Sequence, residues 1–96
     1  ENRYVLYQNY PNPFRQTTTI PYEIPVRSDV ELTLYTIAGG KVATLVNETA
    51  DKGLYRFELN PGKFGLASGV YFYQLSAYGL ETDSQYIKTR KMVLVK

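Results

Sequence analysis

The densest β-strand signal in the chain is the stretch Val70-Tyr71-Phe72-Tyr73-Gln74-Leu75-Ser76-Ala77-Tyr78. Valine, tyrosine and phenylalanine favour strands because branched and aromatic side chains pack well on a pleated surface. Both faces of the stretch are largely apolar at its start, which predicts a strand in the interior of a sheet. The rest of the chain must therefore supply strands on either side of it.

Six shorter segments have the composition or the alternation of further strands, and turn residues separate them. The clearest is the segment with Val30, Leu32 and Leu34, whose period of two predicts a strand with one buried face. The pair Gly39-Gly40 that follows tolerates the positive φ angles of a tight hairpin. Together the predicted strands cover residues 4–7, 19–24, 30–35, 41–46, 53–59, 70–78 and 85–95.

Three details refine this strand pattern. Pro21 lacks a backbone N–H, which predicts an edge or bulged strand for residues 19–24. The doublet Leu45-Val46 breaks the alternation and predicts a bulge or a strand end, and the polar segment 47–52 predicts a loop. The predicted core consists of Ile20, Tyr22, Val30, Leu32, Leu34, Val42, Tyr55, Phe57, Val70, Phe72 and Leu75.

The spacing of the strands indicates the fold class. No stretch has the 3.6-residue apolar period of a helix, whereas about seven short strands recur every 8–12 residues or so with turn signals between them. This pattern is typical of an immunoglobulin-like fold. We therefore expect an all-β, antiparallel β-sandwich of about seven strands with Greek-key connections, and a small barrel is the alternative.

Length and composition restrict the class of function. Ninety-six residues are enough for one domain, so residues 1–96 are predicted to form a single domain. The net charge of +2 provides no basic surface for nucleic acid. The chain has no Cys and no His, which removes the thiolate nucleophile, the commonest general base and the commonest metal ligand. We accordingly predict no catalytic residue, no metal and no cofactor.

The chain is also expected to stay outside membranes and to be part of a longer protein. No apolar run approaches the roughly 18–20 residues of a membrane-spanning helix. Residues 1–6 contain neither a start methionine nor a signal peptide, which is typical of a segment from within a longer chain. We expect the domain itself to be a monomer.

Three short motifs stand out from this β pattern. The first is the double-proline turn Asn9-Tyr10-Pro11-Asn12-Pro13-Phe14, which must be extended or turning because proline disfavours helix at and before its position. The second is Gly69-Val70-Tyr71-Phe72-Tyr73, at the start of the densest strand. The third is the basic and apolar end of the chain, Lys91-Met92-Val93-Leu94-Val95-Lys96.

Together these motifs closely resemble the C-terminal sorting domain of the type IX secretion system, type A. The resemblance runs in order along nearly the whole chain and includes residues 17–20, residues 42–46 and the pair Gly53 and Tyr55. The chain departs from the family pattern at Arg15-Gln16, at Thr36 and in having no Trp. These differences lie at predicted turns and outer faces, so they concern the surface.

The resemblance implies both a fold and a role. It implies an immunoglobulin-like sandwich at the C-terminus of a secreted protein of Bacteroidetes-type bacteria, with the cargo protein N-terminal in cis. The cargo would reach the periplasm and then pass the outer membrane through the type IX translocon to the cell surface or the medium. A sortase-like peptidase commonly removes such a domain and attaches the cargo to the surface.

Each motif also has a structural interpretation. The double-proline turn either docks on the export machinery or fixes the entry of the chain into the sandwich, with Tyr10 and Phe14 closing one end. Residues 91–96 are either read by the machinery, for example by strand addition, or form a core strand with protective lysines. For the whole domain, the alternatives are an accessory carbohydrate-binding or adhesion module, favoured by ten tyrosines, and a structural module of the flagellar-hook-capping kind.

Overall fold

The protein is a two-layer sandwich of seven antiparallel strands in a computed structural model that describes residues 3–96. The strands are β1 (Val5–Leu6), β2 (Thr18–Ile24), β3 (Ser28–Thr36), β4 (Lys41–Ala50), β5 (Gly53–Leu59), β6 (Gly69–Gly79) and β7 (Gln85–Leu94). One sheet has the order β1-β2-β5 and the other the order β4-β3-β6-β7. The all-β, immunoglobulin-like prediction is confirmed. The predicted domain also includes Glu1 and Asn2, which lie outside the described residues.

The chain crosses between the two sheets three times, after β2, after β4 and after β5. Such crossings are typical of Greek-key sandwiches. The last crossing contains a single 3-10 turn, Pro61–Phe64, in which the Asn60 side chain accepts a hydrogen bond from the Gly62 N–H at 3.0 Å. The β3–β4 connection is the predicted glycine hairpin, with Gly39 at φ +95°.

The core lies between the two sheets and confirms much of the predicted set. Ile20, Tyr22, Val30, Leu32, Leu34 and Leu75 are buried, as the alternating patterns predicted. Val42, Tyr55 and Phe57 are half-buried and pack against this core. Further buried apolar residues that the predicted core did not contain are Leu6, Phe14, Ile24, Ala50, Leu59, Leu66, Tyr71, Tyr73, Ala77, Met92 and Leu94.

The predicted inner face of β6 is wrong at Val70 and Phe72. Side chains alternate along a strand, so neither residue can share a face with Leu75. The structure buries Tyr71 and Tyr73 with Leu75 and leaves Val70 and Phe72 half-exposed on the outer face. Both faces of this strand carry apolar side chains, so alternation did not choose between them, and each tyrosine hydroxyl donates to a backbone carbonyl, Tyr71 to Ala67 and Tyr73 to Tyr7.

Pro21 does not place β2 at an edge, because β2 is the middle strand of its sheet. The Pro21 carbonyl accepts the Tyr7 N–H at 3.0 Å, so the side of Pro21 without an N–H faces β1. β1 is only two residues long and pairs with residues 22–23, beyond the proline. The sheet therefore tolerates the proline, since no full strand needs its N–H.

The predicted loop 47–52 is wrong for its first four residues. β4 extends to Ala50, and its last residues pair with Ser28–Glu31 of β3. β4 is an edge strand of its sheet, so its end can carry polar side chains on both faces. The sequence pattern of this segment therefore looked like that of a loop. The predicted irregularity at Leu45-Val46 is confirmed as one of two register shifts that interrupt the β3–β4 pairing.

Candidate recognition site

The three sequence motifs come together at one border of the sandwich. β7 lies at the edge of the four-stranded sheet, next to β6, which carries the second motif. The double-proline turn runs along the other side of β7, so residues 8–14 and 91–95 lie side by side. We call this junction of the two segments the terminal seam. It brings together residues about 80 positions apart in the chain.

Backbone hydrogen bonds close the seam at its C-terminal half. The Phe14 N–H donates to the Val93 carbonyl at 3.0 Å, and the Val95 N–H donates to the Phe14 carbonyl at 2.9 Å. Phe14 and Leu94 form a parallel β-bridge, whereas every strand pair of the two sheets is antiparallel. The double-proline turn thus adds a short parallel segment to the sheet edge.

Side chains continue the seam towards the start of β7. Gln8 donates through Nε2 to the Lys91 carbonyl at 2.7 Å, and Asn12 accepts the Val93 N–H at 2.9 Å through Oδ1. Further along, Arg90 donates through Nε to the Leu6 carbonyl at 2.6 Å. The double-proline turn therefore occupies much of the edge of β7 at which strand addition by the machinery was one of the two interpretations. Four outward main-chain groups of residues 91–95 have partners within the chain: the Lys91 carbonyl, the Val93 N–H, the Val93 carbonyl and the Val95 N–H. These bonds leave little of this edge for strand addition by a partner.

One buried asparagine helps to hold the turn, beside a backbone bridge between Tyr10 and Thr19. The Asn9 side chain is almost completely buried and donates through Nδ2 to Thr18 Oγ1 at 2.9 Å and to the Pro11 carbonyl at 3.3 Å. Thr18 in turn donates to the Pro11 carbonyl at 2.8 Å. Because prolines leave the turn short of backbone donors, these side-chain bonds supplement the backbone pairing of the turn with β2.

The Tyr73 hydroxyl connects the strand motif to the turn. It accepts the Asn9 N–H and donates to the Tyr7 carbonyl, both at 2.8 Å. Burial raises the pKa of Tyr73 to about 12, against the lowering effects of the Asn9 hydrogen bond and of Arg90. The hydroxyl consequently keeps its proton at neutral pH and can donate and accept at the same time.

Burial divides the six terminal residues into three groups. Met92 and Leu94 belong to the core, and Val93 is half-buried, whereas Lys91, Val95 and Lys96 are exposed. Phe14 is also in the core, with 2% of its surface exposed, which agrees with the interpretation that it closes one end of the sandwich. Tyr10 is 53% exposed and does not share that role. A partner can therefore touch only some of the predicted recognition residues on the folded domain.

A second surface lies on the outer face of the three-stranded sheet. A groove of about 400 Å³ is lined by Tyr7, Gln8, Tyr10, Pro21, Leu54 and Arg56. Among residues 3–96, no cluster of three or more acidic side chains could hold a metal ion. Within the same range, the structure contains no helix that is long and apolar enough to cross a bilayer.

The fold and the seam define a small β-sandwich whose first and last segments are tied together at one edge. Residues 8–94 match the family model of the secretion system C-terminal sorting domain. The chain therefore belongs to this family, the sorting domains of the type IX secretion system, and the resemblance seen in the sequence is confirmed. A protein that carries such a domain is one that this system exports.

A solved structure has the same fold. It comes from a study of PorZ, described as an essential bacterial surface component of the type-IX secretion system of Porphyromonas gingivalis. The TM-score is 0.52 at 18% sequence identity, over 95% of this chain and 11% of that chain. The chain thus corresponds to a small part of that protein. The comparison with curated proteins found no match.

Proposed function

We propose that residues 1–96 act as one monomeric, non-catalytic domain that the type IX translocon recognises in the folded state. The cargo is N-terminal in cis, passes through the periplasm and leaves the cell with this domain as its address. Membership of the sorting-domain family supports the proposal. The absence of Cys and His from the sequence supports a binding role over a catalytic one.

The observation that carries the proposal is the terminal seam. The two predicted recognition segments, residues 9–14 and 91–96, meet along this seam. They form one composite surface only when the sandwich is folded, because Phe14 and Val93 are paired through their backbones. A translocon that reads this surface would therefore distinguish a folded domain from an unfolded one. The readable side chains are the exposed ones, which are Lys91, Val95 and Lys96 at the end of the chain and Tyr10, Pro11, Asn12 and Pro13 in the turn.

After export, a second partner is expected to act on the domain, in keeping with the role of its family. We propose that a sortase-like peptidase removes the domain after export and attaches the cargo to the cell surface. Cleavage would fall N-terminal to the sandwich, because β1 begins at Val5 and the chain from Leu6 onward is tied to β7. Such a cut leaves the seam intact.

An export assay tests this function. Residues 1–96 are fused behind a periplasmic reporter in a host that has the type IX system, and reporter activity is measured in the periplasm and outside the cell. The wild-type fusion should be exported. The pair Lys91→Glu and Lys96→Glu should reduce export without unfolding, since both side chains are exposed. Glu81→Lys, on the β6–β7 turn, is the matched control. A wild-type reporter that stays in the periplasm would contradict the proposal.

The groove on the three-stranded sheet gives the carbohydrate-binding alternative a specific surface. Tyr7, Tyr10 and Leu54 are exposed apolar side chains that line it, and tyrosine rings can stack on sugar rings. Retention on polysaccharide columns tests this alternative directly. Retention that is lost in the variant Tyr7→Ala with Tyr10→Ala would support it, and failure to bind any column would remove it.

A further inference from the structure

A row of four side chains crosses the outer face of the four-stranded sheet. The strand registers place Lys41 of β4 opposite Tyr35 of β3, Tyr35 opposite Phe72 of β6, and Phe72 opposite Lys91 of β7. Two aromatic rings thus lie between two lysines in one cross-strand line. We call this row the lysine–aromatic band.

The alternation of burial confirms that the band faces outward. Leu34, Tyr71, Tyr73 and Met92, which precede or follow Tyr35, Phe72 and Lys91 in the chain, are buried between the sheets, so these three members face outward. Lys41 joins them on the same face because it is paired with Tyr35. Within the band the two lysines are exposed and the two rings are half-buried. The next outward pair along the strands, Val70 and Val93, is also apolar and half-buried. This end of the outer face therefore offers an apolar surface between two cations.

Among residues 3–96, no carboxylate on this face balances the two lysines at short range. The adjacent outward row consists of uncharged residues, Thr44, Thr33, Gln74 and Thr89. Glu31 is four residues from Tyr35 along β3, about 13 Å at the rise of a strand, which is beyond the Debye length of about 8 Å at physiological salt. Among residues 3–96 the salt bridge found is Arg27 with Asp51, so neither lysine of the band forms one there.

We propose that the lysine–aromatic band binds an acidic segment of a protein partner. Three strand spacings separate Lys41 from Lys91, which puts their Cα atoms about 14 Å apart. A segment with an apolar side chain over Phe72 and Tyr35 and a carboxylate towards each lysine complements this arrangement in both charge and polarity. The inference rests on the proposed function, because the partner is the component of the export machinery that reads the domain.

The number and placement of the charges favour a protein segment over an anionic lipid surface. Polybasic lipid-binding surfaces use clusters of about four to eight lysines or arginines, whereas the band has two lysines. Two cations on either side of two aromatic rings instead match a short peptide, in which an apolar residue can lie between acidic ones. Binding to anionic vesicles is therefore an outcome that would count against the proposal.

The direct test uses the 96-residue chain and two synthetic peptides. One peptide carries a leucine and a phenylalanine between two pairs of glutamates, and the other has glutamine in place of each glutamate. Amide chemical shifts in NMR titrations should change around Tyr35, Phe72 and Lys91 with the first peptide. The pair Lys41→Glu and Lys91→Glu should weaken this binding about tenfold or more, since two attractions become repulsions.

Matched variants and probes complete the test. Lys52→Glu lies on the β4–β5 connection and should leave the titration unchanged, while thermal unfolding checks that every variant is folded. Equal binding of the glutamine peptide, shifts located elsewhere, or binding to phosphatidylserine vesicles without binding to the acidic peptide would each overturn the proposal.

Export of the reporter fusion separates this inference from the proposed function. Lys41→Glu is suited to that purpose, because Lys41 lies outside the terminal seam. Reduced export of this variant supports the band. If the wild-type fusion and the variant are exported equally, the band proposal fails and the sorting function stands. If the wild-type fusion is not exported, the sorting function fails, and the peptide titration still decides the band.

Discussion

At the scale of single residues, the seam depends on buried polar groups that all have partners. Within the described part of the chain, no buried side-chain nitrogen or oxygen lacks a hydrogen bond. Asn9 and Tyr73 are the most consequential, because each is almost fully buried and each joins the turn to another element. A buried group that loses its partner costs about 1–3 kcal/mol, so these two side chains determine whether the turn stays docked.

The first prediction concerns Tyr73→Phe, which removes the hydroxyl and keeps the ring. The Asn9 N–H and the Tyr7 carbonyl then lose their partner, so the free energy of unfolding should fall by about 1–3 kcal/mol. Chemical denaturation measures the change. Tyr10→Phe is the matched control and should be neutral, since Tyr10 is more than half exposed. Equal effects of the two substitutions would contradict the assigned role of the hydroxyl.

The second prediction compares two phenylalanines. Phe14→Ala should lower the free energy of unfolding by about 3–5 kcal/mol, because it leaves a cavity at a fully buried position of the seam. Phe72→Ala should cost clearly less, since Phe72 is half-exposed on the outer face of β6. The two midpoints of thermal unfolding give the comparison. A larger loss for Phe72→Ala would mean that the inner face of β6 is assigned incorrectly.

At the scale of elements, β7 has two roles that its sequence does not separate. Its even-numbered residues Met92 and Leu94 fill the core, while the odd-numbered Lys91 and Val93 carry the outward side chains and the backbone groups that pair with the turn. Exposed main-chain groups at a sheet edge invite pairing with other chains. The docked turn reduces this liability, because it pairs the Lys91 carbonyl, both main-chain groups of Val93 and the Val95 N–H.

The third prediction is that deletion of Val93–Lys96 destabilises the sandwich as a whole. The deletion removes the buried Leu94 side chain, and loss of such a side chain lowers the free energy of unfolding by about 2–5 kcal/mol. It also removes both backbone hydrogen bonds to Phe14. Circular dichroism should show a large drop in the unfolding midpoint. Deletion of Lys96 alone is the control and should change it little. A truncated domain that unfolds like the wild type would show that the seam contributes no stability.

Sequence patterns predicted the elements better than their connections. Alternation at Val30, Leu32 and Leu34 identified the strand and its buried face, because one face of that strand meets the core and the other meets solvent. The same rule failed for β6, where apolar side chains on both faces gave no preference between Tyr71 and Phe72. The double-proline turn and the terminal strand were both predicted as site segments, but not as neighbours. Their pairing joins distant positions, and local periodicity carries no information about it.

At the scale of the whole molecule, two buried tyrosines tie stability to alkaline pH. Tyr22 lies in the three-stranded sheet and Tyr73 in the four-stranded sheet, so both layers of the sandwich are involved. Burial raises the pKa of each hydroxyl to about 12, above the value of 10.0 for a free tyrosine. The folded state therefore holds both protons more tightly than the unfolded state does.

The fourth prediction follows from the sign of these shifts. Their contribution to stability is complete below about pH 10 and is lost as the pH rises towards 12, because the unfolded chain gives up these protons first. The unfolding midpoint should fall steeply across this range. Tyr22→Phe should flatten the fall, since one of the two groups no longer titrates. An identical pH dependence in that variant would exclude Tyr22 as a source of the effect.

The parallel bridge between Phe14 and Leu94 has a mechanical consequence. A cargo pulling from the N-terminal side and a machine gripping the C-terminal end would load the two parallel segments in opposite directions. The two backbone hydrogen bonds that join Phe14 to Val93 and Val95 are then loaded in shear. Both bonds bear the force at the same time and do not break one after the other. Forced unfolding is governed by the barrier to rupture, so this geometry would let the domain transmit tension to its cargo before it yields.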